Sequence, residues 1–506
     1  MRQHGSILLI SCYELGHQPL GLASPLGFLR RTGFAPLGMD IAREEFNEQC
    51  VARARFVGIS VPMHTALRLG VQAAQRVRSI NPDCHICFYG LYAPLNTEYL
   101  LDTCADSIVG GEYEAVLVNL VEALAEERPI HRLEGLVSRQ GLSAAKRRDA
   151  SLPDMAPSTG SQLAVLRRLD FAAPSRDGLP PLEKYARLER DGRERLTGYV
   201  EASRGCLHLC LHCPIPSVYD GRFFVVPKPI VLEDIRALVR AGAEHITYGD
   251  PDFLNGPKHS LGIVRAMHDE FPDVSFDITT KVEHILKHAA LMPELVAHGC
   301  VFVVSAVESL SDVVLAHLEK GHTRADVFRA LEILRSCGLP LRSSWVSFTP
   351  WTTLDDYLDV LDFVAEQGLI DSLDPVHYAI RLLVPPGSGL LSRPAIQPFL
   401  TGLDQVALTY RWTHPDPTMH RLYENVSALV EEASRTSEDA ADTFQRVREL
   451  AFGMHADRRP AGEARPLRPD RSRPPRLTEP WFCCAEPTAD QFRALQPSVS
   501  LRITTP

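Results

Sequence analysis

No run of apolar residues in this 506-residue chain is long enough to cross a bilayer. It has no basic excess either. Its 53 Lys and Arg face 63 Asp and Glu, for a net charge of −10, which argues against an extended nucleic-acid surface. The opening MRQHGSILLISCYELG turns polar too soon for a secretory signal, and Ile7 to Ile10 read as a first buried strand. No G-x-G-x-x-G follows that strand, so the nicotinamide and flavin fingerprint is missing. Twelve cysteines do not imply a disulfide framework here, because a chain of this size builds its core without one. A reducing, cytoplasmic setting is therefore expected.

What is present is an α/β rhythm in two blocks, in a chain long enough for two or three domains. Residues 1–135 alternate strands (6–12, 56–62, 85–90, from 107) with helices (24–33, 66–80, up to 124). That pattern predicts a doubly wound, Rossmann-like parallel sheet with its ligand face at the strands' carboxyl ends. Residues 136–195 read as a connector. Residues 196–400 repeat the alternation six times, with strands at 199–203, 245–250, 274–279, 301–306, 342–348 and 376–383, and predict a partial (β/α)6 barrel. A helical region spans 401–455. Residues 456–506 open with an Arg/Pro-rich stretch of linker composition and run through WFCCAEP at 481–487 into an extended tail.

Cys206, Cys210 and Cys213 form C-x3-C-x2-C just after the first barrel strand, and no fourth cysteine is near in sequence. Thiolates on a tight loop hold iron–sulfur clusters or zinc. A 4Fe–4S cubane bound by three residues keeps one iron open to a small molecule, whereas zinc would take a fourth ligand such as His208 or His212. Cys84 and Cys87 form a C-x-x-C that reads as two core thiols.

The loop RGCLHLCLHC resembles that of the radical S-adenosylmethionine (SAM) superfamily. YGDPDFLNG (248–256), SAVESLSDVVLAHLEKGHT (305–323), WVSFTPWTTLDDY (345–357) and RLLVPPGSGLL (381–391) resemble later rim segments of members with an N-terminal cobalamin-binding-type domain. The resemblance implies a 4Fe–4S cluster on Cys206, Cys210 and Cys213 and SAM chelated at the open iron. It further implies reductive cleavage of a sulfonium bond by an external electron donor such as flavodoxin or ferredoxin. Candidate SAM-binding residues are Tyr248, Asp250 and Asp252 on the second barrel strand, Glu308 and Ser309 on the fourth, Arg342 and Arg381 on later strands, and His212 before the third cysteine. Lys320 reads as a solvated helix end. The Asp-x-His-x-x-Gly cobalt-ligand motif is missing, and His64 stands in the wrong surroundings for it. The expectation is therefore against cobalamin, although base-off binding without a histidine stays open.

Cys483, Cys484, Ala485, Glu486 and Pro487 resemble the tail of radical SAM proteins ending in Cys-Cys-Ala-Glu-Pro, a group that includes a transferase of arsinothricin biosynthesis. That resemblance implies Cγ–S cleavage of SAM and transfer of its 3-amino-3-carboxypropyl group to arsenite. The products would be hydroxyarsinothricin and methylthioadenosine. Cys483 and Cys484 would hold arsenic(III), and Glu486 would accept a proton. Two alternatives stand beside it. One is a conventional 5′-deoxyadenosyl-radical enzyme acting on a carbon substrate, with or without cobalamin. The other is a non-catalytic zinc or arsenic sensor. Neither a nucleic-acid nor a membrane partner is expected.

Overall fold

The structure is a computed structural model that describes residues 1–141, 164–458, 471–479, 487–488 and 491–492. It is mixed α/β, with an N-terminal parallel sheet, a partly closed half-barrel and a helical C-terminal region. Strands β1 (Ile7–Ser11), β2 (Leu37–Asp40), β3 (Phe56–Ser60), β4 (His85–Tyr89) and β5 (Ser107–Gly111) pair in parallel in the order 2-1-3-4-5. β6 (Leu136–Ser138) joins β5 antiparallel and β7 (Ala164–Val165) joins it parallel. Every residue of β1 is buried, as expected for a strand covered on both faces. Alternation sorts its side chains. Ile7 and Leu9 pack with Leu26 and Leu117 on one face, and Leu8 and Ile10 with Leu67 and Leu101 on the other.

β8 (Arg187–Arg190) and β9 (Arg193–Val200) form a hairpin that opens the second sheet. β9 then runs parallel with β12 (His245–Tyr248), β13 (Ser275–Thr279), β14 (Cys300–Glu308) and β15 (Leu341–Trp345), the short ribbon β10 (Ser203–Gly205) and β11 (Phe223–Val225) lying between β9 and β12 in sequence. Helices cross between these strands, and two begin with capping boxes visible in the sequence, Thr323 with Asp326 and Thr353 with Asp356. The sixth expected strand, 376–383, is different. Pro375 opens a 3-10 turn to Tyr378, and only a single parallel bridge, Phe348 to Arg381, continues the sheet. Pro385 and Pro386, which follow in the chain, have no N–H to extend a ladder.

A hairpin of β16 (Leu400–Asp404) and β17 (Thr409–Trp412) and two helices, Pro417–Thr436 and Ala440–Gly453, follow. The described part of the 456–506 segment lies against the body. β18 (Arg476–Leu477) pairs antiparallel with β8 at the sheet edge. Arg471 bonds Asp371 and Asp439 at 2.6 and 2.8 Å, and Glu479 accepts from Tyr13 and Arg43. Arginines that composition assigned to a free linker thus meet fixed acids. No helix among the described residues is long and apolar enough to cross a membrane.

Candidate active site

β9 ends at Val200, and the chain enters the cysteine loop through β10 at the half-barrel's carboxyl rim. Gly205 has φ +74, and a Cβ there would lie 2.4 Å from the Arg222 carbonyl oxygen, so only glycine fits before Cys206. The loop is pinned from several sides. Leu211 N–H donates to Leu318 O at 3.0 Å, Ser388 Oγ donates to Leu211 O at 3.0 Å, and Cys213 N–H donates to Cys210 O at 3.2 Å. All three thiols are free. Burial, and then the charge of Cys210, pushes the Cys213 thiol up to about 12, and burial likewise raises Cys206. Thiols such as Cys206 and Cys213, reluctant to ionise on their own, suit a metal that displaces their protons. Other described cysteines stand elsewhere. Cys300 begins β14 and Cys337 caps the helix before β15, both at the opposite end of the strands. The donor set therefore fits a three-cysteine 4Fe–4S cluster.

Beside Cys210 and Cys213 lies a buried charge triad. Lys320 Nζ and His212 Nε2 each approach Glu308 Oε1 to 3.2 Å. Burial works against ionising Glu308, but Lys320 and then His212 outweigh it and hold the carboxyl down at about 2. Glu308 itself has φ +66, a left-handed conformation unusual outside glycine, at the last residue of β14. Lys320 overturns the reading of a solvated helix end, because it is only 3% exposed. The helix Asp312–Leu318 stops at Glu319, whose φ of +50 reverses the chain and turns Lys320 inward. Spacing of four along a helix has no bearing past such a reversal.

The other sequence candidates fall into separate places. Asp252 reaches the loop from the opposite side. Its Oδ1 accepts from Leu254 N–H and Thr280 Oγ1, and its Oδ2 faces His284 Nδ1 at 2.8 Å and His208 Nε2 at 3.4 Å. Asp250 is a brace, accepting from Ala202 N–H and Ser203 Oγ, with its carboxyl raised by burial to about 7. Tyr248 is core, packed on Phe253 and Phe276. Ser309 Oγ accepts from Ser311 N–H in the turn after β14. Arg342 already has its anion in Asp374, at 2.7 Å. Arg381 donates to Trp412 O and stacks on the Trp412 and Tyr423 rings, lining a cavity of about 240 Å³ that no cysteine-loop residue borders. Pro487 and Thr488 border that cavity too. Cys483, Cys484 and Glu486 lie outside the described residues.

Sequence reading missed a second buried cluster. Arg204, two residues before Cys206, pairs with Glu114 at 2.7 Å, Glu201 at 2.5 Å and Glu112 at 3.5 Å. Glu112 and Glu114 follow β5 in the N-terminal sheet, so one cation ties that sheet's carboxyl edge to the cysteine loop. Burial, partly offset by Arg204, lifts Glu112 to about 7. Nothing in linear spacing links residues ninety positions apart.

Residues 200–367 match the radical SAM superfamily. The chain is 24% identical over 355 residues to the hopanoid C-3 methylase of Methylococcus capsulatus, an alignment that takes in 69% of this chain and 64% of that enzyme's length. Two solved structures share its fold. OxsB, a cobalamin-dependent SAM radical enzyme with aqua-cobalamin bound, superposes with a TM-score of 0.66 at 15% identity, covering 88% of this chain and 72% of that one. TsrM, a radical SAM methyltransferase from Kitasatospora setae with cobalamin and a [4Fe–4S] cluster bound, gives 0.55 at 17% identity, covering 72% of this chain and 74% of that one. The chain therefore carries a radical SAM domain over residues 200–367, and it shares with these two structures a fold in which an N-terminal domain of cobalamin-binding-like fold precedes the half-barrel.

The expectation against cobalamin does not stand, since both of these structures hold it on the same fold. The missing Asp-x-His-x-x-Gly motif is no ground for excluding it. This chain's own residues are consistent with a ligand there. At the carboxyl ends of β1 and β3, Ser11 Oγ and both ring nitrogens of the buried His64 have no hydrogen-bond partner.

Proposed function

We propose that this protein is a radical SAM enzyme that cleaves SAM reductively and uses the resulting 5′-deoxyadenosyl radical on a carbon substrate, with cobalamin held by the N-terminal domain. The observation that carries this reading is the buried Lys320–Glu308 pair beside the three-cysteine loop. SAM presents an amino group and a carboxylate at its amino-acid end, and a glutamate and a lysine 3.2 Å apart offer an acceptor for the one and a charged donor for the other. The cluster, when bound and reduced by a donor such as flavodoxin or ferredoxin, supplies the electron that breaks a carbon–sulfur bond of SAM.

The protein's own part is positional. Glu308 accepts from the amino group and Lys320 donates to the carboxylate. His212 holds the Glu308 carboxylate in place from the loop side. Asp250 fixes the end of β9 so that the loop leaves the barrel at one angle. Burial of the triad keeps water from screening these contacts.

The tail supports a second reading. Its five-letter match to the Cys-Cys-Ala-Glu-Pro group favours cleavage at Cγ–S and 3-amino-3-carboxypropyl transfer to arsenite held by Cys483 and Cys484, with Glu486 accepting a proton. Trivalent arsenic is thiophilic, and paired thiols suit it.

One experiment separates the readings. Reconstituted protein is incubated anaerobically with SAM and reductant, with and without arsenite. 5′-Deoxyadenosine is expected on the first reading. Methylthioadenosine together with a new arsenic–carbon product decides for the second. Protein that binds iron or zinc yet never consumes SAM sinks both and leaves a sensor.

A further inference from the structure

We propose that His208, Asp252 and His284 form a mononuclear site for a divalent first-row metal ion, distinct from the cluster and on the other flank of the same loop. Among the described residues these three place His208 Nε2, Asp252 Oδ2 and His284 Nδ1 within 4.8 Å of one another. Asp252 is fully buried and His284 nearly so, while the His208 side chain keeps a narrow solvent edge of 14%. All three atoms are buried without a well-aligned hydrogen bond, although Asp252 Oδ2 lies 2.8 Å from His284 Nδ1 and 3.4 Å from His208 Nε2. Two imidazole nitrogens and a carboxylate oxygen that converge in this way are the donors a cation would take.

The spacing agrees with that. A first-row ion sits about 2.0–2.2 Å from imidazole nitrogen and carboxylate oxygen, which puts neighbouring ligands roughly 2.8–3.6 Å apart at octahedral to tetrahedral angles. The observed 2.8 and 3.4 Å fall within that range. The outer shell is also in place. Asp252 is oriented through its other oxygen by Leu254 N–H and Thr280 Oγ1. Glu283 Oε2 faces the far nitrogen of His208 at 3.6 Å, in the position from which a carboxylate fixes a ligating histidine's tautomer. His288 packs its ring against His284. Nitrogen and oxygen donors without sulfur select zinc, iron(II), manganese or cobalt rather than copper(I) or a cluster. The ion would bind the cysteine loop, the turn after β12 and the helix Val282–Lys287 together, and so stiffen the loop between its first two cysteines.

The test reads metal content and is independent of how SAM is cleaved. Full-length protein with its iron–sulfur cluster reconstituted is equilibrated with Zn²⁺ and desalted, and zinc and iron are measured on the same sample with zinc-edge X-ray absorption. The expected result is about one zinc per chain with a nitrogen/oxygen shell near 2.0–2.1 Å and no sulfur. His284→Ala and His208→Gln should each lose that zinc with iron unchanged, and Glu283→Gln should weaken its retention about tenfold. Zinc with a sulfur shell near 2.3 Å, zinc kept equally by both histidine variants, or no zinc in the wild type overturns the proposal. If His284→Ala fails to fold, seen as lost iron and lost helical signal, the partly exposed His208 decides through His208→Gln.

Discussion

The two flanks of the cysteine loop are built alike and end differently. On each, a loop histidine meets a carboxylate from a strand end: His208 with Asp252 after β12, His212 with Glu308 at the end of β14. The third member separates them. His284 completes the first flank with a nitrogen lone pair, and Lys320 completes the second with a fixed positive charge. A lysine ammonium has no lone pair to give a metal but pairs with a carboxylate, whereas an imidazole can ligate. One scaffold thus offers a metal-like donor set on one side and a match for a zwitterion on the other.

The largest effect expected from breaking this contrast is at the loop itself. Cys210→Ala should abolish the cluster's visible absorbance and all SAM cleavage, measured as nucleoside product under reductant. Next comes the charged flank. Lys320→Met strands a buried carboxylate and should lower stability in denaturant by about 3–5 kcal/mol while removing SAM turnover. The double variant Lys320→Met/Glu308→Leu should regain most of that stability and none of the activity. A double variant no more stable than the single would show that the pair is not what holds the flank. Arg204→Met, which leaves three acids without their cation, should cost about 3 kcal/mol by the same reasoning. Conversion of His212 to Asn is milder, raising the KM for SAM about tenfold with kcat little changed, because Lys320 still faces Glu308.

The smallest effect is a pH dependence that sharpens the comparison of buried carboxyls. Glu308 is held ionised by its partners, but Glu14 is raised by burial to about 8, against weaker donation from the Gly21 and Leu20 N–H groups. Its folded value lies above the unfolded value of about 4.5, so its contribution is complete below that pH and disappears as pH rises through about 8. Thermal stability should therefore fall by a few degrees between pH 6 and 9, and Glu14→Gln should flatten the fall.

Much of the fold was legible because it rests on short-range rules. Continuous apolar runs marked β1, β3 and β4, strand–helix alternation marked the half-barrel, and C-x3-C-x2-C marked the loop. What stayed hidden depends on where the chain reverses and which elements then meet. Lys320 is brought inward by one left-handed residue. His284 and Asp252 meet across two strands. Arg381 is expected on a late barrel strand because an apolar run looks like one, but Pro375 starts a 3-10 turn instead and the arginine stacks on Trp412. The cobalamin expectation failed for another reason: a single motif describes one way of holding the corrin, and its absence says nothing of the others.

Arg204 has a consequence for anyone wishing to study the half-barrel by itself. Two of its three counter-charges, Glu112 and Glu114, belong to the N-terminal sheet. Trimming that sheet away would leave a guanidinium two residues from the first thiol with Glu201 as its remaining acid. The cysteine loop and its upstream neighbour are in this sense joined through one cation, and occupancy at the rim of one should register in the electrostatics of the other.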